Sequence, residues 1–153
     1  MTLDEVTAIL EGAATQDELL QEKTWTKLTQ TLEEAYNELP AVVVEQWLPR
    51  LDELLEGWGD ELRELPGSWL EALFRGDPIP LARLTRSIRL ETHELYQHQE
   101  RTLRPVQEDH IRAIAGCADL SKVRIFRVHK YGGNYHLTAA GLKILAGSPH
   151  LTN

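Results

Sequence analysis

Cysteine occurs once in the 153 residues, at Cys117. A single thiol excludes an intrachain disulfide framework and a thiolate-held metal cluster. Long apolar runs are missing as well, since no window approaches the roughly 18 apolar residues of a membrane span. The start, Met1-Thr-Leu-Asp-Glu5, has neither the basic residues nor the apolar stretch of a signal peptide. A cytoplasmic protein is expected from these absences. Motifs that carry chemistry are equally scarce. His93 and His98 stand five apart, off a single helical face, and no HExxH-type motif occurs. His129 and His136 lack ligand spacing, and Gly132-Gly133 is too short for a phosphate-binding loop and fits a turn. No paired carboxylates stand out from the polar helix faces. No catalytic residue, cofactor or metal is expected, and the chain reads as a non-enzyme.

What is present is an ordinary globular composition, 42% apolar and 26% charged, with an uneven distribution of charge. Residues 1–80 carry 5 Lys/Arg against 18 Asp/Glu, a net of −13. Residues 81–153 carry 11 Lys/Arg against 6 Asp/Glu, a net of +5, and all six histidines. The shift falls at Gly76-Asp-Pro-Ile-Pro80, which marks a compositional boundary. The two halves either attract each other within one molecule or leave a basic half for an anionic partner.

The acidic half, residues 1–78, reads as a helical domain. Leu3, Val6, Ile9 and Leu10 suggest a first short helix. Thr15-x-x-Glu18 has the form of a capping box, after which Leu20, Leu28, Leu32, Ala35, Tyr36 and Leu39 recur at helical steps up to Pro40. Val43, Val44, Trp47, Leu48, Leu51, Leu54 and Leu55 form a second stripe, in which Pro49 must kink the helix or restart it. Ser68-x-x-Glu71 looks like another capping box, before Trp69, Leu70, Leu73 and Phe74. Trp47 and Trp69 fall on apolar stripes and belong to a core; Trp25 and Trp58 are core residues or exposed anchors for a partner.

In residues 81–153 the period changes. Ser87-Ile-Arg-Leu90 and Lys122-Val-Arg-Ile-Phe-Arg-Val128 alternate as strands do. Each precedes one copy of a gapless match, Ile111-Arg-Ala-Ile-Ala-Gly-Cys-Ala-Asp-Leu120 over Leu142-Lys-Ile-Leu-Ala-Gly-Ser-Pro-His-Leu151, at an offset of 31. A helix-plus-turn unit recurring at this period is the mark of stacked repeats. The order strand, helix, strand, helix implies parallel neighbours at 87–90 and 124–128 joined by right-handed crossovers. The strands are offset by 38, from Ile88 to Phe126, so 7 extra residues are expected as an insertion at Gln97 to Arg104.

The framework Leu120-x-x-Val123-x-x-Phe126-x-Val128, then Asn134, then Leu137-Thr-x-x-Gly141-Leu142-x-x-Leu145-Ala146-x-Ser148-Pro149-x-Leu151 resembles a leucine-rich repeat of the ribonuclease-inhibitor type found in bacterial multi-repeat proteins. The resemblance covers 120–151 closely, 84–118 loosely, and 1–80 not at all. His110 stands where the second copy has Gly141, and Lys130-Tyr-Gly-Gly133 lengthens the gap before Asn134. It implies a βαβα unit capped by the helical half, an α+β or α/β fold, and a protein-interaction role. Arg124, Ile125 and Arg127 are the strand positions expected to face a protein partner. The final turn at Ser148 to Leu151 leads toward a strand position beyond it. The end of the array is therefore expected to self-associate or to be continued by further repeats.

A second resemblance competes. Tyr135-His-Leu-Thr-Ala-Ala-Gly141 after a glycine turn is similar to the wing and last helix of winged-helix DNA-binding regulators. That reading pairs 123–128 with 134–138 as an antiparallel hairpin and gives the basic half phosphate contacts.

Overall fold

The computed structural model describes residues 2–15, 17–90, 93–97, 100–104, 107–128 and 137–151, with the backbone alone at 93–97 and 100–104. Helix α1 (Leu3–Ala13) opens at Thr2, whose hydroxyl accepts from the Glu5 N–H while Glu5 accepts from the Thr2 N–H. Helix α2 (Glu18–Glu38) does not use the expected box at Thr15. Asp17, next to the helix, caps it by accepting from the Leu20 N–H at 3.0 Å.

Pro40 then starts a nearly continuous run: α3 (Pro40–Val42), a π turn at Val43–Trp47 and α4 (Leu48–Leu54). The π turn has a local cause. Pro49 lacks an N–H and its ring crowds the carbonyl four residues back, so the backbone widens by one residue before it. The Leu48 N–H reaches the Val43 carbonyl, and α4 restarts with proline in its first turn. Helix α5 (Gly67–Arg75) corrects a second capping expectation. Its N-cap is Pro66, and the Ser68 hydroxyl instead donates to Glu33 at 3.0 Å, tying α5 to α2. Gly76 ends α5 in the left-handed conformation, at φ 83°.

A 3-10 turn at Pro80–Leu84 leads into β1 (Ser87–Leu90). After β2 (His93–Gln97) and β3 (Glu100–Arg104) come α6 (Glu108–Gly116), a 3-10 turn at Ala118–Leu120, β4 (Ile125–Val128) and α7 (Ala139–Ala146). Strands β1 and β4 pair in parallel, with Ile88 opposite Phe126, at the predicted offset. The expected insertion is a hairpin rather than a loop and begins earlier: β2 pairs antiparallel with β3, Gln97 opposite Glu100. The second strand starts three residues later than the alternation suggests, because Val123 closes a turn by donating to the Leu120 carbonyl at 3.0 Å. The molecule is of mixed α and β class, helices with small sheets. The antiparallel pairing of 123–128 with 134–138 falls partly outside the described residues, as do His129, Asn134 and His136.

Burial joins the two halves of the chain. One cluster of buried side chains runs from Val6 and Leu10 through Leu32, Leu51 and Leu55 to Leu84, Ile88, Ile114 and Leu120. All four tryptophans are buried, so the anchor reading of Trp25 and Trp58 is corrected. Trp25 satisfies its indole N–H at the Glu64 carbonyl, 2.9 Å away, and so holds α2 against the edge of the sheet. No helix among the described residues is long and apolar enough to cross a membrane.

Candidate interaction surface

Backbone hydrogen bonds repeat across the sheet. The Arg63 carbonyl accepts from the N–H groups of Arg86 (2.8 Å) and Ser87 (3.2 Å), and the Leu65 N–H donates to Ser87 (2.8 Å). Beside it the Arg86 carbonyl accepts from Arg124 (2.8 Å) and Ile125 (3.0 Å). A single parallel bridge, Glu64 to Ser87, places residues 63–65 alongside β1 as a third strand position. Sequence reading missed this position, although a signal was there. Leu62-Arg-Glu-Leu65, Thr85-Arg-Ser-Ile88 and Val123-Arg-Ile-Phe126 each place an arginine two residues before a buried or half-buried apolar residue.

The three arginines line one side of the sheet, and the acidic half answers them. Arg63, with a side chain only 2% exposed, donates to the Leu84 carbonyl (2.8 Å), the Leu55 carbonyl (3.1 Å) and Asp52 (2.8 Å). Asp52 also accepts from Arg86 at 2.7 Å and from Lys122. Burial alone would push the Asp52 carboxyl up. The hydrogen bonds from Lys122, Arg63 and Arg86 together outweigh it and hold the group at about 2. Arg124 meets Asp60 at 3.4 Å.

On the opposite strand face Arg89 pairs with Glu64 (3.0 Å) and Arg127 with Glu61 (2.8 Å). A groove of about 460 Å³ runs there, lined by Glu18, Glu22, Trp25, Glu64, Arg89 and Arg127 among others. Of the three expected contact residues, Arg124 and Arg127 therefore already hold acidic partners within the chain, and Ile125 is half-buried. The charge asymmetry of the sequence is spent, at these positions, on intramolecular pairing.

The framework residues divide by depth. Leu120 and Val123 are buried; Phe126, Leu137, Leu145 and Leu151 are half-buried; Val128 and Leu142 stand 41% and 55% exposed. Small residues, Cys117 and Ser148, hold the matching turn positions of the two copies. The Ser148 hydroxyl accepts from the N–H groups of His150 (3.1 Å) and Leu151 (3.2 Å) and donates to the Ala115 carbonyl (2.6 Å). Thirty-one residues earlier, Cys117 takes the matching place, and the Leu120 N–H donates to its backbone carbonyl at 3.2 Å. Burial pushes its thiol up, so the group is a protonated packing residue.

The substitution of His110 for Gly141 has a packing reason. His110 stacks on Phe74 of α5 with centroids 4.1 Å apart, and its Nδ1 accepts from the Gln107 N–H. Gly141 is buried with Leu137 close by, where a Cβ would come within 3.0 Å of Leu137 Cδ1.

One candidate surface is the groove with internally paired charges; the exposed residues Val128 of β4 and Leu142 of α7 offer other contact points. No group of acidic, histidine or cysteine side chains suited to a metal occurs among the described residues. Comparison with protein-family models, with curated proteins and with solved structures finds no match for this chain.

Proposed function

We propose that the chain is a non-enzymatic protein-interaction module of leucine-rich-repeat type. In this reading the acidic helices cap a short stack of strand–turn–helix units, and the last unit offers its face to a protein partner. The observation that carries it is that Val128 of β4 and Leu142 of α7 are both exposed, and that among the described residues β4 pairs with β1 alone. An unpaired strand edge next to apolar surface favours association with another chain. The recurring backbone hydrogen bonds at Arg63 and Arg86 support the stacked reading.

The alternative, a winged-helix DNA-binding regulator, draws little support from the basic residues. Arg86, Arg124 and Arg127 are committed to Asp52, Asp60 and Glu61 and are poorly placed to neutralise phosphates.

The test combines crosslinking and affinity capture with the intact chain against its Val128→Lys/Leu142→Lys variant, alongside titration of labelled duplex DNA at two salt concentrations. Protein capture that the variant loses is expected. Tight DNA binding that weakens steeply with salt would replace this reading with the regulator.

A further inference from the structure

At residues 63–65 a tryptophan stands on the outer side of the sheet, and the hydrogen-bond pattern shows what it meets. In the parallel bridge between Glu64 and Ser87, Ser87 turns both of its backbone groups toward this segment. Its N–H donates to the Arg63 carbonyl at 3.2 Å, and its carbonyl accepts from the Leu65 N–H at 2.8 Å. In a parallel pair the residue between two such partners directs its own N–H and carbonyl the other way. The backbone groups of Glu64 therefore face away from β1. An outward pair of this kind is what an added strand engages. The Glu64 carbonyl instead accepts from the Trp25 indole N–H at 2.9 Å.

Trp25 is also where α2 first reaches the interior. No residue from Glu18 to Thr24 is buried, and Leu19 stands 62% exposed. Trp25 is 4% exposed, and Leu28, Thr29 and Leu32 follow it into the core. The groove of about 460 Å³ runs beside it, lined by Glu18, Glu22 and Thr26 of α2 and by Leu62, Leu65 and Pro66 of the edge segment. The first two turns of α2 thus stand off from the strand, and Trp25 makes the link. An indole is a bulky apolar ring with one donor and no acceptor. It covers the edge and fills a backbone acceptor without offering a new one.

We propose that Trp25 is an edge lock: it keeps residues 63–65 from taking up a further strand, and its release lets this edge pair with the same edge of a second copy of the chain. The ring excludes an approaching backbone by volume, and the indole N–H occupies the acceptor that such a backbone would use. A second copy fits the opened edge because a two-fold contact sets two identical edges antiparallel, each bringing the same outward groups to the other. Charge does not prevent it. In each copy Glu64 is already answered by Arg89 at 3.0 Å and Glu61 by Arg127 at 2.8 Å. The lock is independent of the module reading, which rests on Val128 and Leu142.

The test compares the intact chain with Trp25→Ala, which removes ring and donor together, and Trp25→Phe, which keeps an aromatic ring and removes only the donor. Sedimentation over a concentration series reads association, circular dichroism reads folding, and amide exchange reads the Glu64 N–H. Trp25→Phe should dimerise about 10-fold more tightly than the parent, the effect of one freed hydrogen bond. Trp25→Ala should dimerise more tightly still, and in both dimers exchange at Glu64 should slow. Where Trp25→Ala fails to fold, Trp25→Phe decides. Glu64→Pro, added to either variant, deletes the outward N–H and leaves the bonds of Arg63 and Leu65 to Ser87 in place. It should return association to the parent level. A folded variant that associates no more than the parent overturns the proposal. So does association that survives Glu64→Pro, and so does a parent that already dimerises with its Glu64 amide protected.

Discussion

Replacing Asp52 with asparagine tests the carboxylate that, among the described residues, answers the most cations. The carboxylate answers Arg63, Arg86 and Lys122 at once, and Arg63 has almost no access to water. Removing the charge leaves a buried guanidinium short of its counter-ion, so Asp52→Asn should lower unfolding free energy by about 3 kcal/mol in urea titration. The same residue sets an acid limit. Its folded value of about 2 lies below the ordinary 3.8, so its contribution is complete above pH 4 and is lost as pH falls toward 2. In Asp52→Asn, stability should be flatter over that window.

Ser148 is the other residue with a concentrated role, making three hydrogen bonds from one buried hydroxyl. Ser148→Ala should cost about 1–3 kcal/mol. Ser148→Cys, by analogy with Cys117, should recover part of that loss; a cysteine no better than alanine would argue against the equivalence of the two turns.

Elements end where local chemistry decides, and Gly76 is the clearest case. Its φ of 83° suits only a residue without a Cβ, while the space around it is open. Gly76→Ala should therefore cost about 1 kcal/mol through backbone strain alone, measurable as a shift in denaturation midpoint without a change in slope. Helix bodies and the parallel pairing were legible in the sequence, because periodicity and a constant offset between Ile88 and Phe126 report burial and register directly. Helix starts were less so. Asp17 displaced the Thr15 box, and Ser68 found Glu33 on another helix, a partner 35 residues away that no local pattern indicates. The ion pairs were illegible for the same reason: Asp52 and Lys122 lie 70 residues apart. The strand position at 63–65 was readable in principle from its arginine but was masked by the acidic helical composition around it.

For the whole molecule, the buried cluster passes through the compositional boundary near residue 80, and Arg63 is fixed by the Leu84 carbonyl beyond it. Residues 1–80 and 81–153 should accordingly unfold together. Tryptophan fluorescence, which samples only the acidic half, and far-UV circular dichroism, which samples both, should give coincident thermal transitions. Two separated transitions would show that the charge boundary is also a cooperative one.

The bonding order Arg63 to Arg86 to Arg124 has a kinetic meaning. The Arg63 and Arg86 carbonyls each accept from a segment later in the chain, while Leu65 donates back to Ser87. During synthesis each later strand position emerges after the one it joins, and β1 waits for β4, whose Phe126 comes to lie opposite Ile88. The expected order of assembly therefore runs from Arg63 toward Arg124, with the Arg63 and Arg86 carbonyls exposed until their donors emerge.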